Sequence, residues 1–430
     1  MEDFLDTQRE RLTTIRRDLH RHPEAGWTEY RTTHKIGREL EGMGFDLTVG
    51  KDALDSNARL GVPGVEELSR HEERAREAGV PEDWLAKMRG GHTGLVARFD
   101  TERPGPHVAL RFDIDALPVH ESEGEDHRPK SLGFRSENEG VMHACGHDGH
   151  AAIGLGVAAF LRQFEGDLGG RFTLLFQPSE EGSRGAVAMA ERGWLDDADY
   201  FLAGHLGTSV NELGTVAATT AGFLPTTKLD VRFRGRAAHA GGEPQEGRNA
   251  LLAAVAAALH LHAISRHGDG ETRVNVGTLT AGTGRNVIPD RAEMQIETRG
   301  ATEDLDTYVA GEARRIIEAS AAMHGVETEV EVVGRGIGAV CDEEWPGIVE
   351  EACEGAKFVR CVLPEASIGG SEDATIMMER VRERGGKATY MVFGSPLAAG
   401  HHNPAFDWEE DAILVGVEAM GRVILHLNSP

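Results

Sequence analysis

Cysteine, lysine and long apolar runs are all scarce in this chain, and each shortage narrows what it can be. Four cysteines, Cys145, Cys341, Cys353 and Cys361, are spread over 430 residues, too few to staple a fold of this length. Cys145 stands apart because of its histidine neighbours; the other three are expected to be small buried apolar residues. No run of about 18 or more apolar residues occurs, so no segment is expected to span a membrane. The opening stretch, MEDFLDTQRERLTTIRRDLH, reads as a charged helix rather than a secretory signal, and the expected location is cytoplasmic. Lysine is confined to Lys35, Lys51, Lys87, Lys130, Lys228, Lys357 and Lys387. With 45 basic against 71 acidic side chains, the net charge is −26, which argues against nucleic acid and anionic membrane as partners. An acidic, lysine-poor surface suits concentrated salt, where screening removes self-repulsion. A salt-tolerant source is one expectation; an ordinarily acidic cytoplasmic enzyme is the other.

What is present is a patterned α/β chain. Residues 7–20 and Glu29–Met43 read as amphipathic helices, and residues 66–90 as polar helix punctuated by Pro81 and Gly90-Gly91. Short apolar runs follow at Gly94–Phe99, His107–Phe112, Arg171–Gln177 and Tyr200–Gly204, with helices at His150–Phe164 and Gly185–Arg192. Buried strands alternating with helices predict a mostly parallel sheet. After about Ala221 the order becomes strand, helix, strand, strand, helix, strand. That is the βαββαβ of a ferredoxin-like unit, expected over 221–335 as an insertion. The catalytic domain is then discontinuous, 1–220 plus 336–430, with helices near 344–356 and 372–384 and a strand at Ala388–Phe393.

In open α/β sheets ligands bind beyond the carboxyl ends of the strands. Metal-type side chains recur at those ends: Asp113 and Asp115, Glu180 and Glu181, His205, and His401 with His402. Between them lies His143-Ala-Cys145-Gly-His147-Asp148-Gly-His150. A thiolate and a neutral imidazole both suit a borderline divalent ion, and the glycine lets the loop turn tightly around it. Burying His143, His147 and His150 as mere core residues would be costly. Glu180-Glu181 reads either as a solvated pair or as a metal ligand beside a general base; its place after FTLLFQPS favours the second. His205 and the His401-His402 pair, taken singly, are equally readable as hydrogen-bonded loop residues.

The stretches RRDLHRHPEAGWTEY, ALRFDIDALPV, MHACGHDGHAAIGLG, FQPSEEGSRGA, GHLG, GRAAHAG, GTGRNVIP, GGSED and HHNPAFD, in order from residue 16 to 407, resemble the M20 metallopeptidases, in their amidohydrolase branch with Cys-Gly-His ligands. Within that branch the insertion between residues 58 and 97 and the ETRGAT segment look most like the p-aminobenzoyl-glutamate hydrolases, in their larger, A-type subunit. The resemblance implies a metal-dependent amidohydrolase of N-acyl or N-aroyl amino acids with two divalent ions, manganese or zinc. It implies Cys145, His147, Glu181, His205 and His402 as ligands, with His401 a competitor for the last place. It further implies Glu180 as general base, Asp115 behind the metals, His239 polarising the scissile carbonyl, and Asn286 and Arg299 near the substrate carboxylate. Without the resemblance, His239 reads as a solvated loop histidine and Arg299 as an ordinary salt bridge. A homodimer, or a pair with a smaller homologous subunit, is also implied. The rival expectations are another aminoacylase of the branch (auxin-conjugate or hippurate type), a metal-dependent dipeptidase gripping a free amino terminus, and a binding protein that kept the fold but lost the chemistry.

Overall fold

The computed structural model describes residues 1–428. Its strands are β1 Asp46–Val49, β2 Leu95–Asp100, β3 His107–Asp113, β4 Arg171–Gln177, β5 Tyr200–Leu206, β6 Thr215–Ala221, β7 Thr226–Arg234, β8 Thr272–Ala281, β9 Arg291–Gly300, β10 Glu327–Gly336, β11 Cys361–Ser367 and β12 Lys387–Phe393. Its helices are α1 Glu2–Arg21, α2 Tyr30–Gly42, α3 Val65–Glu77, α4 Glu82–Met88, α5 Arg128–Ser131, α6 His147–Gln163, α7 Ala186–Ala190, α8 Ala250–Leu261, α9 Glu303–His324, α10 Trp345–Ala352, α11 Ala374–Arg382 and α12 Ala412–Leu427. The chain divides into two compact units: Met1–Gly222 with Ala339–Gly369 and Asp373–Pro430, and Phe223–Gly338 with Gly370–Glu372.

The larger unit is built on an eight-stranded sheet in the order β1-β2-β4-β3-β5-β12-β6-β11. Its central strands β4, β3, β5 and β12 run parallel to one another. Their near-continuous apolar sequences fit burial on both faces: β3, HVALRFD, is buried from end to end. The same core cluster takes in Leu12, Ile15 and Leu19 of α1, Ile153, Val157 and Phe160 of α6, and Val417 and Met420 of α12. Helix α6 is wrapped on nearly all sides, with fourteen buried residues, as its apolar, glycine- and alanine-rich sequence requires.

The smaller unit is a four-stranded antiparallel sheet, order β10-β7-β9-β8, with α8 and α9 between its strands in sequence. Alternating burial along β9 turns Ala292, Met294 and Ile296 into a core shared with Ala253, Ala257 and Ile317 of the helices. Thr302 caps α9 by accepting from Leu305 N, and Gly325, at φ 63, closes it in the left-handed conformation.

Three departures from the sequence expectation stand out. Strands β1, β6 and β11 form without a strong apolar pattern to announce them. Helix α6 begins at His147 rather than His150. Cys353 is buried as expected, but Cys341 is only partly buried and Cys361, at the start of edge strand β11, is exposed.

Candidate metal centre

Because β4, β3, β5 and β12 are adjacent and parallel, their carboxyl ends converge. Asp113 ends β3, Glu180 and Glu181 follow β4, His205 is the penultimate residue of β5, and the His401-His402 loop follows β12. Helix α6 points its N-terminus at the same place. Gly146 precedes it at φ 94, a left-handed turn that an L side chain would strain; it lets Cys145 and His147 face one spot.

The donor atoms of Cys145, His147 and His205 lie within 4.8 Å of one another, as do those of Cys145, Glu181 and His402, and those of His147, Glu180 and Glu181. Cys145 Sγ is 3.4 Å from His205 Nε2. Glu181 Oε1 is 3.6 Å from His402 Nε2 and 4.0 Å from His147 Nε2. Of the paired histidines it is thus His402 that joins the cluster. It does so from a left-handed backbone, φ 64, pinned by its N–H to Ala144 O at 2.7 Å. His401 turns its Nε2 to Leu206 O at 3.3 Å and packs against His205 and Phe406.

The loop that carries the two glutamates is held from beneath. Asp115 accepts from Glu180 N at 3.0 Å and Glu181 N at 2.9 Å, one carboxylate oxygen each. Glu29, at the start of α2, accepts from Ser179 N at 2.8 Å. Three consecutive backbone amides are therefore gripped by two buried carboxyls. Burial, then the nearby Asp115 carboxylate, pushes the Glu29 pKa up to about 8. Asp115 also fixes His147, whose Nδ1 lies 3.0 Å from the Asp115 carbonyl; with that nitrogen donating, Nε2 is left as the donor for a cation. His205 is set the same way, its Nδ1 donating to Leu206 O at 2.8 Å.

The donor set fits a divalent cation. His147 Nε2 is buried and makes no hydrogen bond, with carboxylates of Asp113, Glu180 and Glu181 at 3.8, 3.9 and 4.0 Å. Burial opposes a charge on His147, yet Asp113 and the hydrogen bond to Asp115 prevail and hold its pKa well above the usual imidazole value. Burial, then Glu181, drives the Cys145 thiol well above its usual value. Burial, then the neighbouring His150 and His401, keeps His205 well below. Thiol, imidazole and carboxylate donors gathered around a buried His147 Nε2 without a hydrogen bond make a donor set that suits a divalent ion.

Sequence reasoning groups His143, His147 and His150; the structure sets only His143 apart, while His150 stacks on His147 and their donor atoms lie within 4.8 Å of each other and of an Asp113 oxygen. His143 is buried beside His20, ring centroids 6.4 Å apart, and burial lowers its pKa to about 4. His150 lies behind the cluster on Asp113. Glu29 escapes sequence reasoning, although it lies in GWTEY, because nothing local marks a glutamate as the partner of a loop 150 residues away.

His239, Asn286 and Arg299 belong to the smaller unit. Ala240 N donates to Asn286 O, and Ile288 N to Ala238 O, so the His239 and Asn286 loops lie paired. His239 is exposed; its Nδ1 accepts from Gly241 N and Gly242 N at 3.1 and 2.9 Å, which puts its ring proton on Nε2. Arg299 lays its guanidinium on Glu297 of the same strand, at 2.7 and 3.1 Å.

Residues 109–426 match the model of peptidase family M20/M25/M40. The chain belongs to this family. It is 48% identical over 416 residues to an indole-3-acetyl-aspartic acid hydrolase of Enterobacter agglomerans, covering 96% of this chain and 95% of that one. It is 45% identical to the A-type subunit of the p-aminobenzoyl-glutamate hydrolase of Escherichia coli (strain K12), over 99% of this chain and 98% of that one. Its fold is shared with the crystal structure of an aminobenzoyl-glutamate utilization protein from Klebsiella pneumoniae, at 42% identity and TM-score 0.84, covering 99% and 97%. This family member is a hydrolytic enzyme acting on amides.

Proposed function

We propose that this M20 enzyme is a metal-dependent amidohydrolase that splits the amide bond of an N-acyl or N-aroyl amino acid, with p-aminobenzoyl-glutamate as the type of substrate. The observation that carries the reading is a chain of overlapping donor groups, Cys145 with His147 and His205, Cys145 with Glu181 and His402, and His147 with Glu180 and Glu181, each within 4.8 Å. Cys145, His147, Glu181, His205 and His402 are the proposed ligands of two divalent ions, Mn²⁺ or Zn²⁺. The two close relatives are named for substrates that share an aromatic acyl part and an acidic amino acid, which supports an acidic amino acid here as well.

Divalent ions held there would acidify a water and polarise the amide carbonyl. Glu180 takes the water's proton as it attacks and passes it to the leaving nitrogen. Asp115 keeps Glu180 in place through its backbone amide. His239, with its proton on Nε2, is the proposed donor to the oxygen that gains charge. Arg299 and Asn286 are the proposed grip on the amino-acid carboxylate; Arg299 must then exchange Glu297 for substrate, a swap of one planar carboxylate for another. We propose that the smaller unit, with its four-stranded antiparallel sheet, is a ferredoxin-like lid and dimerisation domain, in a homodimer or beside a smaller homologous subunit. Cytoplasmic location is inferred from four free cysteines, one of them a proposed ligand. No helix among the described residues is long and apolar enough to cross a membrane.

The test is a hydrolysis panel of N-acyl and N-aroyl amino acids and dipeptides with added Mn²⁺ or Zn²⁺. Turnover of N-aroyl-glutamate or N-aroyl-aspartate above dipeptides is expected; preference for dipeptides would overturn the substrate reading.

A further inference from the structure

The histidine that the Cys-Gly-His motif leaves over, His150, is 2% exposed and lies on α6 three residues after His147, on the same helix face. Its ring stacks on that of His147, centroids 5.3 Å apart at 29°, and meets that of His205 edge-on at 4.5 Å and 75°. One imidazole thus touches two of the proposed ligand imidazoles. Both its nitrogens are engaged. Nε2 accepts from Leu206 N at 2.9 Å, and a backbone amide can only donate, so the ring proton sits on Nδ1, which gives it to Asp113 Oδ1 at 2.5 Å. Asp113 is anchored in turn by Arg111 Nη1 at 2.6 Å, and Arg111 by Gln177 and Asp373 at 2.8 and 2.9 Å.

We propose that His150 is a positioning residue of the metal centre, wedging the rings of His147 and His205 into the geometry in which they bind cations, without binding one itself. The inference rests on the metal centre proposed above. Leu206 is the link. Its N–H goes to His150 and its carbonyl receives His205 Nδ1 at 2.8 Å, so the residue that orients His205 is itself held by His150. A direct ligand role would require His150 to release Leu206 N or Asp113, leaving a buried polar group unpaired. Partners that fix a ligand's orientation commonly alter metal affinity about 10–100-fold when removed.

The test is titration of the full-length protein with Co²⁺, followed by absorption of the Cys145 thiolate–Co²⁺ band, for wild type, His150→Phe and His150→Gln. Phenylalanine keeps a flat aromatic ring, slightly larger, and loses both hydrogen bonds; glutamine can make both and loses the stacking. The expected result is two equivalents bound at saturation in all three, affinity falling about 10–100-fold in H150F with H150Q between, and a shifted band in both. Should H150F not fold, H150Q against wild type carries the comparison. Wild-type affinity and spectrum in the folded variants overturn the proposal, and so does loss of one equivalent at saturation, which makes His150 a ligand. Wild-type protein that takes up no Co²⁺ refutes the metal centre itself, a separate outcome.

Discussion

Cys145 and Glu180 perform different tasks within one cluster, and their variants should separate them. Glu180→Ala is expected to cut kcat by roughly 10²–10⁴-fold, the usual size of a general-base effect, with metal content unchanged by elemental analysis. Near-wild-type turnover would remove Glu180 from the chemistry. Cys145→Ala is expected to lower the metal stoichiometry; an unchanged stoichiometry would contradict its role as a ligand. At this scale the sequence is most legible where chemistry and strand end coincide. The donor atoms of Cys145, His147 and His205 lie within 4.8 Å of one another, as do those of Cys145, Glu181 and His402. What the motif does not convey is the support beneath: Glu29 on Ser179 N and Asp113 on His150 are contacts between segments far apart in the chain. Nor does it choose between His401 and His402, of which only His402 has a left-handed backbone.

Helix α1 shows how an element can serve the site from behind. Its Arg16 has no exposed side-chain surface and binds Asp148 of α6 at 2.9 Å and Asp407 at 2.8 Å, between the faces of Phe134 and Trp408. Asp148 follows His147 directly, so this pair ties the ligand-bearing helix start to α1. Arg16→Ala leaves Asp148 buried and unpaired by its guanidinium, and a loss of about 3–5 kcal/mol is expected in chemical denaturation; a loss below about 1 kcal/mol, the scale of an exposed pair, would contradict the account. The same layer holds Glu121. Burial alone would raise its pKa, but hydrogen bonds from His127 and His20 lower it to about 2 from 4.5. A depressed carboxyl contributes stability above its unfolded value and loses it as pH falls towards the folded one. Stability should therefore drop between about pH 4.5 and 2, with a shallower slope in Glu121→Gln; identical acid profiles would contradict the role given to Glu121. The helices and the central strands are plain in the sequence because their apolar period is strong. Strand β6, TVAATTA, is hidden because its small side chains resemble helix or loop, and β11, CVLPEAS, because its proline fits only an edge strand. The start of α6 is hidden because polar ligands occupy its first turn.

At the scale of the whole molecule charge dominates. A net charge of −26 on 430 residues repels itself in dilute buffer and is screened within about 3 Å in molar salt. Thermal midpoints are expected to rise from dilute buffer to molar KCl; equal midpoints would remove the salt-adapted reading. The division into an eight-stranded mostly parallel unit and a four-stranded antiparallel one places all five proposed ligands and the general base in the first. The most direct measurement is therefore diffraction at the metal absorption edge from crystals grown with Mn²⁺ or Zn²⁺. Two anomalous peaks enclosed by Cys145, His147, Glu181, His205 and His402 are expected. Peaks elsewhere, or ligand atoms too far apart to enclose any, would contradict the account.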